Sequence, residues 1–158
     1  MITFRQAEKK DITLILTYIK KLATYEKMLE QVKATEAKLM TSIFELKQAQ
    51  VYFILKNGHE IGFAVTYHQF STFVGQSGLF LEDIYIDEEE RHQGYGTLFF
   101  KFLVDIALKN NYERFEWNCL DWNQPSIDFY LSIGATPLSD WTTYRLTTKE
   151  MVRFIQDK

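Results

Sequence analysis

The sequence predicts one mixed α/β domain (α+β in arrangement), a mostly antiparallel central sheet flanked by helices. Three observations carry that expectation. Stretches with apolar residues at helical spacing are separated by stretches that alternate or run apolar like strands. An Asn57-Gly58 pair between two apolar runs marks a tight hairpin in the middle of the chain. A glycine-bearing turn, Gly94-Tyr95-Gly96, joins an apolar strand to a long apolar helix. The chain has 158 residues, 46% hydrophobic and 16% aromatic, enough apolar surface for a core of its own. Two prolines and seven glycines leave no low-complexity stretch to act as a linker, so residues 1–158 read as a single domain.

Residues 2–6 alternate apolar and polar, as a half-buried strand does. Asp11 stands as the N-cap of a helix whose Ile12, Ile15, Leu16, Ile19 and Leu22 share a face. A polar and aromatic connection over 25–33 leads to Thr35, the cap of a second helix over 35–44 with Leu39, Ile43 and Phe44 on one side. Strands over 51–55 and 61–70 flank the Asn57-Gly58 turn. Gly75, Ser77 and Gly78 mark the next turn, and 79–86 is the third strand of an antiparallel meander. A helix follows over 94–110, with Leu98, Phe99, Phe102, Leu103 and Ile106 at core spacing. Then come a strand over 114–120, a helix over 123–133 stopped by Gly134, and a last strand over 141–146. The order is β-α-α-β-β-β-α-β-α-β, with a short helix over 149–155 after it.

The formal net charge is −3 and no long Lys/Arg run occurs, so no nucleic-acid-binding face is expected. An acidic balance suits a cationic partner better. Cys119 is the only cysteine, which excludes an intrachain disulfide and a cysteine zinc site. Cys119 reads as a buried small hydrophobe in an apolar strand. His59, His68 and His92 show no metal spacing, and no metal is expected. The polar start MITFRQAEKKD lacks the apolar centre of a signal peptide, and no apolar run nears membrane-spanning length. A cytoplasmic location and no membrane partner are the expectation.

The most informative stretch is 79–103. Its strand enters an acidic run over 87–90, then Arg91-His92-Gln93-Gly94-Tyr95-Gly96, then the long helix. Glycines at such a turn allow close approach to the backbone, and a helix start presents free N–H groups and positive dipole. Together these suit an anion such as a diphosphate. A dinucleotide fingerprint needs a third glycine where Phe99 stands, and a nucleotide triphosphate loop needs Lys-Ser/Thr where Thr97-Leu98 stand. A plain strand-to-helix turn remains the other reading of the two glycines.

Arg91-x-x-Gly94-x-Gly96, between an acid-bearing strand and a helix, resembles the coenzyme A pyrophosphate loop of the GNAT superfamily of N-acetyltransferases. Leu81-Glu82-Asp83, the run Trp122-Asn123-Gln124-Pro125-Ser126-Ile127-Asp128-Phe129-Tyr130, and Gly134-Ala135 resemble its diamine (spermidine/spermine) N-acetyltransferase branch. So do Leu22-Ala23-Thr24-Tyr25-Glu26 and Glu30-Gln31-Val32, and the similarity spans nearly the whole chain. The resemblance implies acetyl-CoA as cosubstrate. It places the pyrophosphate on the amides of His92, Gln93, Gly94, Tyr95, Gly96 and Thr97, with Arg91 heading the loop. It pairs the backbone of Ile84, Tyr85 and Ile86 with the pantetheine arm, like an added strand. It sets Asn123, Pro125 and Ser126 on the cofactor, makes Tyr130 the general acid, and gives Tyr25, Glu26, Glu82 and Asp83 to the amine. It also implies a strand bulge near Ile84 for the oxyanion, and a homodimer through C-terminal strands.

Acetyl transfer to an amine needs a proton acceptor, because a free alkylamine titrates near roughly 10. Glu82 is the candidate, directly or through a water; the other reading is a strand carboxylate facing solvent or an arginine. As strand neighbours, Glu82 and Asp83 are expected on opposite faces. The departing thiolate needs a proton. Tyr130 would supply it, helped by amides that favour the phenolate, or else it is a packing residue beside Phe129. The acids over 87–90 read as a solvated turn. The Arg91 side chain reads as a phosphate contact or as a counter-charge to them. Asn123 reads as a helix cap as well as a cofactor contact.

Departures from the branch bear on the substrate. Thr142-Thr143-Tyr144-Arg145 stands where the polyamine enzymes carry an acid followed by Gly-Trp-Arg, so Thr142 replaces a carboxylate. Phe73-Val74-Gly75 replaces a Trp-bearing stretch. The expected acceptor is a primary amine of a small molecule: a polyamine, a diamine or a lysine-like amine. The alternatives are a peptide or protein amine, and a non-catalytic acetyl-CoA sensor.

Overall fold

The computed structural model describes residues 1–156, and these fall into two compact units, 1–118 and 119 onward. In the first unit, five strands lie in chain order: β1 (Ile2–Gln6), β2 (Gln50–Lys56), β3 (His59–Ser71), β4 (Gln76–Ile86) and β5 (Phe115–Trp117). The first four pair antiparallel, and β5 joins β4 parallel. The helices are α1 (Ile12–Tyr25), α2 (Glu36–Leu39), α3 (Tyr95–Lys109), α4 (Gln124–Ser132) and α5 (Thr148–Gln156).

One face of the sheet is covered by α1. Its Ile15, Tyr18 and Leu22 pack against Val51, Phe53, Leu55 and Phe63, with Val65 and Tyr85 beside them. Tyr18 stacks on Phe63 with ring centroids 5.3 Å apart. The other face takes α3: Phe4 stacks on Phe102 at 4.5 Å and on Phe99 at 5.7 Å. Phe99, Phe100 and Leu103 are buried. Each such side chain contributes roughly 1.5–3 kcal/mol by leaving water.

Local signals were realised where expected. Asn57 and Gly58 both adopt positive φ (52° and 85°), as a two-residue hairpin with the strands' twist requires. Thr35 caps α2 by accepting from the Lys38 N–H at 3.2 Å. Past α2 the helix widens to a π-type turn over Met40–Glu45. Asp11 occupies the N-cap of α1, but its carboxylate does not cap that helix. It accepts from Arg5 at 2.7 and 3.0 Å and from the Glu8 N–H at 2.7 Å, and Arg5 holds its carboxyl below the usual carboxylate range. A charged partner outcompetes the helix N–H groups.

Three expected elements differ. The turn after β3 lies at 72–75, and Ser77 and Gly78 belong to β4. Gly78 serves close approach instead: a Cβ there would stand 2.8 Å from the Arg114 carbonyl oxygen, which accepts from the Leu79 N–H at 3.0 Å. Gly78→Ala is therefore expected to push β5 from β4 and lower stability by about 1–3 kcal/mol, read by urea denaturation. The strand expected over 114–120 shortens to Phe115–Trp117. The strand expected over 141–146 does not form; no pairing partner takes it among the described residues, and Trp141 and Tyr144 are 79% and 91% exposed. Alternation encodes a face, while a strand also needs a neighbour to bond.

Candidate active site

Along the β5 edge of β4, pairing stops early. Leu79, Phe80 and Leu81 face Phe115, Glu116 and Trp117, and from Glu82 onward that edge has no strand partner among the described residues. Backbone groups of 82–86 are thus presented the way an added strand needs them. The Ile86 carbonyl is an exception, since it accepts from Arg91 Nε at 3.0 Å.

Beyond Ile86 the chain makes one 3-10 turn (Glu88–Glu90), then a bend in which His92 and Gly94 take positive φ (62° and 79°). Gly94 is the N-cap of α3, in the left-handed region that glycine occupies without strain. A Cβ on Gly94 or Gly96 would meet nothing within 4 Å, so the space over both is open. The Leu98 N–H bonds to the Gly94 carbonyl at 3.1 Å, which leaves the N–H groups of Tyr95, Gly96 and Thr97 ahead of the helical ladder. These donors, the dipole of a 15-residue helix and the open glycines fit a diphosphate.

The acidic run before this loop is not simply solvated. Asp87 is buried, and accepts from the Tyr18 hydroxyl at 3.1 Å and from Lys21 Nζ at 2.6 Å. Glu90 accepts from Lys56 Nζ at 2.7 Å. Two of the four acids are thus neutralised ahead of this helix start, and Asp87 fixes the loop's entry to α1. The Arg91 side chain makes no ion pair with these acids among the described residues. Its guanidinium lies over the Tyr25 and Tyr85 rings, 4.8 and 5.1 Å from their centroids.

Glu82 occupies a β-bulge. Leu81 faces Thr66 and Asp83 faces Val65, so Glu82 is the extra residue. The bulge expected near Ile84 forms two residues earlier. It also overturns the expected opposition of Glu82 and Asp83. Val65 and Tyr85 pack on the α1 side, which puts Asp83 on that face. An inserted residue breaks the two-residue alternation and turns Glu82 to the same side. Electrostatics agree. Burial first, then the Glu82 and Glu26 charges, push the Asp83 carboxyl up to about 7. Burial and Glu82 also raise the Glu26 carboxyl and the Tyr67 hydroxyl. Glu26, Glu82 and Asp83 therefore form one group, with Tyr67 at its edge, and none of the ion pairs among the described residues neutralises it. Glu26 follows Tyr25 at the C-terminal end of α1. Three carboxyl groups gathered in this way suit a cation such as an ammonium.

The second unit carries the other expected residues on α4. Asn123 is at the N-cap position and its carbonyl accepts from the Ile127 N–H at 3.0 Å, but its side chain makes no cap bond. Pro125 and Ser126 occupy the first turn, where a proline costs no helix bond. Tyr130 is half-buried, with its ring 5.6 Å from that of Phe129. Burial first, then the Cys119 thiol's charge, push its hydroxyl up to about 12. This is opposite to the expected favouring of phenolate, because desolvation penalises the anion. Cys119 is half-buried rather than buried and follows β5 instead of lying in it. Thr142 is exposed in the irregular segment after α4.

Sequence reasoning did not find Tyr67, or the link of Tyr18 and Lys21 to Asp87. Their partners lie 69 and 66 residues away, beyond the reach of any local pattern. His68 faces the Tyr112 hydroxyl at 3.2 Å.

The profile of the Acetyltransferase (GNAT) family matches residues 19–135, which run across the junction of the two units. A thialysine N-epsilon-acetyltransferase of Sus scrofa is 32% identical over 162 residues, covering 95% of both chains. Among solved structures, an integron cassette protein of V. cholerae superposes with a TM-score of 0.80 at 22% identity, covering 99% of this chain and 98% of that one. AAC(6')-Iy, solved with a bisubstrate analog of CoA, gives 0.74 at 15% identity over 93% of this chain and 99% of that one. No helix among the described residues is long and apolar enough to cross a membrane.

Proposed function

The chain belongs to the GNAT family of acetyltransferases, enzymes that use acetyl-CoA as cosubstrate, and on that premise we propose that it acetylates the primary amine of a small cationic molecule by direct transfer. The polyamine, diamine and lysine-like classes remain its acceptors, and the thialysine-acetylating relative favours the lysine-like one. The observation that carries the reading lies within one unit. A diphosphate-type helix start follows on a strand whose bulge turns two carboxylates toward a third, and none of the ion pairs among the described residues neutralises them.

In this reading the N–H groups of 92–97 hold the pyrophosphate of coenzyme A, and the open edge of Ile84–Ile86 orients its pantetheine arm. Asn123, with Pro125 and Ser126 at the start of α4, adds cofactor contacts. Acetyl-CoA supplies the activated acyl group. Glu26 and Asp83 hold the ammonium, with Tyr25 as an aromatic wall. Glu82 accepts the proton that the amine must lose, directly or through water. The backbone at the bulge faces the carbonyl oxygen, and Tyr130 donates to the departing sulfur. The chain is read as one catalytic domain, in a homodimer acting in the cytoplasm.

The test is a thiol-release assay with acetyl-CoA and a panel of lysine, thialysine, ornithine, putrescine, spermidine and a lysine-bearing peptide. Release is expected with the free cationic amines and not with the peptide. Tight coenzyme A binding without release for any amine would sink the catalytic reading in favour of a sensor.

A further inference from the structure

Arg91 opens the phosphate loop, yet its side chain is used on the other side of it. Nε donates to the Ile86 carbonyl at 3.0 Å, and the guanidinium carbon lies 4.8 Å from the Tyr25 ring centroid and 5.1 Å from that of Tyr85. Arginine is suited to this, since its planar cation stacks on an aromatic face while its edge still donates. Tyr85 packs in turn on Tyr18, 6.3 Å between centroids, and the Tyr18 hydroxyl donates to Asp87 at 3.1 Å. The last residue of α1 and both flanks of the 3-10 turn are therefore joined through one side chain. Glu26, which shares its charge with Glu82 and Asp83, is the next residue after Tyr25.

We propose that Arg91 is a positioning residue: by clamping Tyr25 to the head of the phosphate loop, it makes ligation of that loop set the acceptor end of α1. The clamp rests on the reading of the loop as a coenzyme A site and adds to it a coupling between cofactor and amine. A phosphate ligand and a clamp predict different losses when the guanidinium is changed. Here it lies over two rings with Nε bonded to the Ile86 carbonyl, and the coenzyme A reading gives the diphosphate to the backbone N–H groups beyond it. Coupling of this kind is a free energy shared by two sites.

Hydrogen exchange of residues 22–31 with and without coenzyme A tests this, alongside calorimetry of coenzyme A binding. In the wild type, coenzyme A is expected to slow exchange there by at least about threefold. Arg91→Lys keeps the charge but not the planar stack, so it is expected to abolish that protection while the coenzyme A Kd moves less than about threefold. Tyr25→Leu removes the clamp from an exposed ring, without loss of core, and is expected to do the same. Protection that persists in both variants overturns the clamp, as does a Kd weakened about tenfold in Arg91→Lys, the mark of a lost phosphate contact. Wild type that binds coenzyme A without protecting 22–31 overturns the clamp alone. Wild type that does not bind coenzyme A overturns both the clamp and the acetyltransferase reading.

Discussion

Tyr130→Phe is expected to lower kcat at least tenfold, and by roughly a hundredfold if the hydroxyl is the sole proton donor, with little change in coenzyme A affinity. The hydroxyl, pushed up to about 12 by burial and by Cys119, is protonated throughout the working range. A free thiol titrates near roughly 8.5, so complete transfer to a solvated thiolate is uphill by about 3.5 pH units, or roughly 5 kcal/mol. The proton therefore does not move ahead of C–S cleavage. The hydroxyl donates a hydrogen bond that strengthens as charge builds on a desolvated sulfur, whose own proton affinity burial raises. It follows that Tyr130 contributes no alkaline limb to the pH profile below about pH 11. Thiol release in single turnover and calorimetry of coenzyme A check these outcomes. Equal turnover in the variant demotes Tyr130 to packing on Phe129.

What the sequence disclosed about this fold follows the range of the interactions involved. The Asn57-Gly58 hairpin, the Thr35 cap and the glycine at the start of α3 depend on neighbours a few residues apart, and all three formed as read. Asp11 and the acids at 87–90 look like surface chemistry locally. Arg5 claims the first, and Tyr18 and Lys21 claim Asp87, because folding brings those partners to them. The bulge at Glu82 is a mismatch between two strands, visible only once Val65 and Thr66 are opposite their partners. No alternation within 79–86 reveals it. That one inserted residue decides whether the site has one carboxylate or two on the acceptor side. The same limit applies to Arg91. Its position in the sequence resembles a phosphate loop, while its side chain lies over Tyr25, which the fold delivers.

Asp83→Asn is expected to remove an acid limb near pH 7 from kcat/KM for the amine and to lower it about tenfold at pH 8. The cause is the burial that, with Glu82 and Glu26, pushes the Asp83 carboxyl up to about 7. Below that pH it is neutral and attracts no ammonium; above it the charge is present. The wild-type profile should thus rise through about 7, before the slope due to the amine's own deprotonation, and the variant should keep only that slope. Stability carries the opposite sign. A carboxyl that stands at about 7 in the fold and 3.8 ordinarily makes its ionisation cost the fold on the order of 4 kcal/mol. That cost is fully present above about pH 7 and disappears as pH falls toward 3.8, so on this group's account the fold gains stability as the solution acidifies. Asn carries no charge at any pH. Asp83→Asn should therefore raise Tm at pH 8, raise it by less than half as much at pH 5, and leave it nearly unchanged only at or below about pH 3.8, while activity at pH 8 falls. Such opposed changes at pH 8 would mean that the fold keeps a repelling carboxylate because the ammonium needs it. A variant that lost activity and stability together would show Asp83 to be a structural group, leaving the ammonium to Glu26 and Glu82.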